Sequence, residues 1–119
     1  MIMPRPDDDA RRLFDSVLPD DPRVSARPMF GNVAGFVNGN MFTGLFGNDL
    51  FVRLSEADRS ELLVEPGAAV MEPMTGRPMK EYVVLPTGWR DEPERVVAWV
   101  GRSLEWAGAM SEKKPKKKK

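Results

Sequence analysis

Four cations in the interior of the sequence, Arg27, Arg53, Arg77 and Lys80, stand among methionines and a tryptophan that can wrap an apolar partner. A guanidinium offers a planar fork to a carboxylate or phosphate, and a thioether adapts its shape to an apolar group. Arg27, Arg53, Met74, Arg77, Met79, Lys80 and Trp89 are therefore the candidate lining of a groove for an anionic or peptide ligand. The plainer alternative pairs the arginines with carboxylates such as Glu72 and Glu81 and leaves the methionines in the core. Spacing alone does not decide between them.

A second cationic feature is the run Lys113, Lys114, Lys116, Lys117, Lys118 and Lys119, six of the last seven residues. Contacts to about six phosphates would give a log-affinity slope near −5 against log salt, and an anionic membrane would contribute about 1 kcal/mol per lysine. No arginine or aromatic residue interrupts the run to stack on a base. The expectation is at most weak, non-specific nucleic-acid contact, with a solubilising tail as the plainer reading. The net charge of zero conceals an asymmetry, because residues 1–112 hold 12 basic against 18 acidic residues, a net charge of −6. An acidic body carries a cationic tail.

Other chemistry is limited by what is missing. The sequence has no cysteine and no histidine, which removes disulfides, thiolate nucleophiles, the commonest general base and the commonest transition-metal ligand. Asp7, Asp8 and Asp9 resemble a carboxylate cluster, but they lack the glycine-centred loop of a calcium site and suit a helix N-terminus better. The glycine-bearing segments 31–35 and 44–47 lack a following Lys-Ser/Thr or a flanking helix pair, so they read as strand turns. No metal or cofactor is expected. No apolar run approaches a membrane span or a secretory signal, and the expected location is cytoplasmic.

The elements that must position these residues follow from periodicity. Ala10, Leu13, Phe14, Val17 and Leu18 recur at helical spacing behind the aspartates, and the prolines at 19 and 22 end that helix. Strands are expected at Val24 to Met29, with Pro28 marking an edge or bulge, then at Val33 to Val37, Asn40 to Phe46 and Leu50 to Leu54. Asn38-Gly39 fits a two-residue hairpin, and Gly47-Asn48-Asp49 a longer one. In the third strand Met41, Thr43 and Leu45 alternate with Phe42, Gly44 and Phe46, and Gly44 leaves room for a close neighbour.

Ser55 with Asp58 opens a short helix that offers Leu62 and Leu63 to the core. Residues 68–80 read as a short strand followed by an irregular loop, with a better strand at Glu81 to Leu85. Asp91, as cap before Pro93, opens a last helix whose buried stripe is Val96, Val97, Val100, Leu104 and Ala107. With 119 residues there is room for one core. The expected fold is two-layer α+β, an antiparallel sheet packed against helices in the order α, three or four strands, α, two strands, α.

The segments Arg27-Pro28-Met29-Phe30-Gly31, Gly35 to Phe42, Val52-Arg53-Leu54, and Arg77-Pro78-Met79-Lys80-Glu81-Tyr82 through Pro86, with Trp99 in the last helix, resemble the N-terminal domain of the TfoX/Sxy family of competence regulators. The resemblance spans roughly residues 9–108. It implies an α+β fold similar to type III secretion chaperones and no established enzymatic activity. The expected organisation is a TfoX N-terminal-like domain at 1–110 followed by a disordered lysine-rich tail at 111–119, because a lysine run has nothing to bury. Full-length regulators of the family carry a second, helical domain and act with a cyclic-AMP receptor protein, whereas this sequence reaches its lysine run soon after the first domain. A competence role is therefore not expected to carry over.

The functional expectation is a non-enzymatic regulatory or protein-interaction module, transcription-associated, whose partner is a protein. The alternative is a small-ligand binder or an unrecognised enzyme built on arginine, a carboxylate and Tyr82. An adaptor should show exposed apolar surface or an unpaired strand edge. A ligand binder should show a pocket with convergent polar groups.

Overall fold

The computed structural model describes residues 5–29, 32–74 and 76–111, without the side chains of Met29, Pro73, Met74 and Arg77. Helix α1 (Asp8–Val17) starts where the Asp7 carboxylate accepts the Ala10 N–H at 2.8 Å, and it buries Ala10, Phe14 and Val17 along one face. Four strands follow, β1 (Val24–Met29), β2 (Asn32–Val37), β3 (Asn40–Phe46) and β4 (Asp49–Arg53). Helix α2 (Glu56–Leu63) is capped by the Ser55 hydroxyl, which accepts the Asp58 N–H at 3.3 Å. Strands β5 (Ala69–Met74) and β6 (Arg77–Val84), a short 3-10 helix (Thr87–Asp91) and helix α3 (Pro93–Gly108) complete the chain.

All six strands form one antiparallel sheet in the order β1-β2-β3-β4-β6-β5, so β1 and β5 are its edges. Pro28 lies on the edge strand β1, where its missing N–H costs no ladder bond to a further strand. The helices cover one face. There Phe14, Val96, Val100 and Ala107 meet Val37, Phe42, Leu45, Leu50, Val52 and Val83 in a single apolar core. Each fully buried Phe, Leu or Val contributes about 1.5–3 kcal/mol. The two-layer α+β expectation agrees with this arrangement.

The turns decide the register. Asn38 and Gly39 both have positive φ, 50° and 79°, as a two-residue hairpin with the twist of its strands requires. The second hairpin is tighter than the sequence suggests. Phe46 pairs with Asp49, which leaves only Gly47, at φ 63°, and Asn48 in the turn. Between β2 and β3, Gly35 pairs with Thr43 but Phe36 pairs with Met41, so Phe42 is an extra residue in a bulge. Strict alternation therefore fails in β3, and Phe42 and Leu45 both reach the core. Gly44 is a notch for Phe51, whose Cζ would lie 2.6 Å from any Cβ placed there.

Four further local expectations change. The loop expected before residue 81 is the β5–β6 hairpin, with an irregular register around Met71 and Met74. Leu63 is exposed while Leu62 is buried, since an eight-residue helix turns only one narrow stripe inward. Helix α3 has Glu92, not Asp91, at its N-cap, without a side-chain bond, because Asp91 is taken into the 3-10 turn. In its stripe Ser103 is fully buried and Val97 is about half exposed.

Candidate functional site

The sheet face away from the helices carries the polar chemistry. Because Leu50, Val52 and Leu54 point into the core, Phe51 and Arg53 point to the other face, where Arg53 stands opposite Tyr82 of β6. On β2, Val37 is in the core and Phe36 faces out. Arg27 on β1 pairs with Ala34, two residues before Phe36. An open depression of about 300 Å³ lies on this face, lined by Phe36, Gly39, Asn40, Met41, Arg53, Met79 and Tyr82.

Its walls are held by specific contacts. The Tyr82 hydroxyl reaches past β4 and donates to the Met41 carbonyl at 3.1 Å, and its ring meets Phe51 edge-on at 5.7 Å. The Arg53 guanidinium lies 5.6 Å from the Tyr82 ring centroid, and its Nε donates to Glu81 Oε1 at 2.8 Å. Arg27 lies 4.7 Å from the Phe36 ring centroid, so a second arginine–aromatic pair adjoins the first. Burial pushes the Tyr82 hydroxyl above the ordinary tyrosine range. The Arg53 charge opposes that rise, and the Glu81 carboxylate adds to it. At neutral pH the hydroxyl is thus a neutral donor.

The backbone under Arg53 is fixed from the helical layer. The Ser103 hydroxyl accepts the Arg53 N–H at 3.2 Å and donates to the Phe42 carbonyl at 2.5 Å. It bridges β3 and β4 next to their Thr43–Val52 pair, at the residue that bulges from the β2–β3 ladder. On the helical side of the sheet, where its register partner Val37 is buried, Asn40 Nδ2 donates to the Ser111 carbonyl at 3.0 Å and ties the segment after α3 to β3.

Of the residues picked from the sequence, Arg53 and Met79 line the depression, and Arg27 covers Phe36 at its margin. Lys80 is exposed on β6. Met74 and Arg77 pair through their backbones at the β5–β6 hairpin, while their side chains lie outside the described residues. Trp89 is elsewhere. It is buried in the core under Arg95, 4.1 Å from its ring centroid, and lines a void of about 20 Å³ with Leu13, Leu50 and Val96. The six tail lysines also lie outside the described residues.

Phe36, Asn40 and Met41 belong to the depression but were not singled out. Their signal is faint: Phe36 and Met41 are positions out of phase with the core residues of their strands, and Asn40 follows a hairpin turn. Asp7, from the aspartate cluster, caps α1, and among the described residues no group of three acidic or histidine side chains is arranged for a metal ion.

The model of the TfoX N-terminal domain matches residues 13–107. The chain belongs to the TfoX N-terminal domain family. No curated protein matches it. The match takes in all six strands and the whole depression, with Ser103 and the arginine–aromatic pairs. Among the described residues of this TfoX N-terminal domain, no helix is long and apolar enough to cross a membrane.

Proposed function

We propose that the chain is a non-enzymatic regulatory adaptor, transcription-associated, that works by holding a protein partner on its surface. The observation that carries this reading is the apolar surface left outside the core. Val64, at the end of α2, is 78% exposed; its neighbour Leu63 and Val70 on the edge strand β5 are also exposed. Apolar side chains left in water beside a strand edge suit association with another chain, through side-chain burial and added ladder bonds. Membership of the TfoX N-terminal family supports a regulatory role.

Immobilised full-length protein should capture a discrete partner from native lysate, and the double variant Val64→Lys, Val70→Lys should lose it while melting at the same temperature. Capture of the same proteins by both would end this reading. A second reading, an anionic-ligand binder, is favoured by the depression around Arg53.

A further inference from the structure

The sheet-face depression is built from two cross-strand pairs. The bulge at Phe42 puts Met41 opposite Phe36, and Arg53 stands opposite Tyr82. The Tyr82 hydroxyl, bonded to the Met41 carbonyl at 3.1 Å, ties one pair to the other, and Met79 adds a second thioether to the lining. Phe51, only 4% exposed, meets the Tyr82 ring edge-on. The walls are thus in place before a ligand arrives, which removes an ordering cost from binding.

The charge of the site selects among anions. Among the described residues no carboxylate lines the depression, and Arg53 is the one cation that does; Lys80 lies outside the lining. The guanidinium makes a single hydrogen bond among those residues, from Nε to Glu81, so its Nη edge is available to a ligand. Glu81 balances Arg53, and Arg27, stacked on Phe36 at the margin, adds one positive charge. A single carboxylate matches that sum and the planar fork of the guanidinium. A phosphate dianion would bring a second charge without a partner and stand against Glu81.

Size and lining narrow the rest of the ligand. The volume of about 300 Å³ is at the bottom of the range of small-molecule pockets, about 300–1,000 Å³, and suits one ring with a short acid arm. A long acyl chain would run out into water. Two rings and two thioethers favour an aromatic body over an aliphatic one, because ring–ring and sulfur–ring contacts add to plain area burial.

We propose that the depression holds a small aromatic monocarboxylate, its ring against Phe36, Met41, Met79 and Tyr82 and its carboxylate on the Nη edge of Arg53. The proposal rests on the reading of this face as an anionic-ligand site and names the ligand class. It uses a different surface from the Val64 and Val70 region.

The test titrates the full-length protein with 3-phenylpropionate, its uncharged amide, propionate and phenyl phosphate, followed by amide shifts and calorimetry. 3-Phenylpropionate should bind about tenfold more tightly than the amide or phenyl phosphate, with propionate weaker still. Its shifts should cluster at Phe36, Met41, Arg53, Met79 and Tyr82, a measurement on the unaltered protein that depends on no variant's folding. Arg53→Met should bring the acid down to the affinity of the amide and leave the amide unchanged, whereas Phe36→Ala should weaken both about tenfold. Equal affinity for acid and amide, full affinity for the acid in Arg53→Met, or shifts confined to the helical layer would each overturn the proposal. Equal or tighter binding of phenyl phosphate at the same residues would also overturn it, yet leave the anionic-ligand reading standing. Silence at these residues with all four compounds would end both. Partner capture through Val64 and Val70 would survive any of these results.

Discussion

The hydroxyl of Ser103 donates to the carbonyl of Phe42 at 2.5 Å, so a helix side chain repairs the sheet at its bulge. It also accepts the N–H of Arg53 at 3.2 Å. The residue is fully buried, so neither backbone group can turn to water if the hydroxyl is removed. Ser103→Ala should therefore cost about 1–3 kcal/mol in urea unfolding and shift the Arg53 amide resonance. An alanine variant as stable as the parent would show that the bridge contributes nothing.

The first hairpin makes a backbone prediction. Gly39 has φ 79°, a region closed to β-branched residues, so Gly39→Val should destabilise the domain by about 1–3 kcal/mol. Ser60→Val on the exposed face of α2 serves as the control, with an expected loss of a few tenths of a kcal/mol. Equal melting temperatures for the two variants would refute the turn assignment.

Tyr82 is the only tyrosine, so its ionisation can be followed by ultraviolet absorbance without interference from another phenol. Its pKa is raised by burial, hence above its unfolded value near 10. As pH rises past about 10 the unfolded chain releases the phenolic proton while the folded one retains it, so stability should fall from there until the folded group also ionises. Tyr82→Phe should remove this tyrosine component of the alkaline decline and, by losing the bond to the Met41 carbonyl, cost about 0.5–1.5 kcal/mol at neutral pH. An unchanged alkaline profile in Tyr82→Phe would disprove the linkage.

Two neighbours should move that same titration in opposite directions. Arg53 lowers the Tyr82 pKa and Glu81 raises it, so Arg53→Met should shift the absorbance midpoint up and Glu81→Gln should shift it down. Shifts of the same sign in the two variants would mean that the guanidinium and carboxylate do not act on the ring as their geometry implies.

Much of this architecture was legible in local chemistry. Asp7, Ser55 and Asn38-Gly39 act through backbone bonds or dihedrals a few residues away, and each does what its type suggests. The departures come from long-range packing. Nothing near Phe42 announces that an extra residue will be absorbed there, because the bulge is settled by which side chains of α1 and α3 need covering. Ser103 read as a polar gap in an apolar stripe, and its partners lie 50 and 61 residues earlier. The depression was half visible. Arg53 and Met79 stood out by type, whereas Phe36 and Met41 became part of it only through register, and Trp89 was drawn into the core by the 3-10 turn.

The notch at Gly44 has an evolutionary corollary. Positions 44 and 51 share one volume, so neither can drift alone: a side chain at 44 must be met by a smaller side chain at 51, and a truncated 51 leaves a hole that a side chain at 44 is placed to fill. Across relatives these two sites should vary as a pair, small with large or medium with medium. The Tyr82 ring, which leans edge-on against Phe51, should follow their exchange.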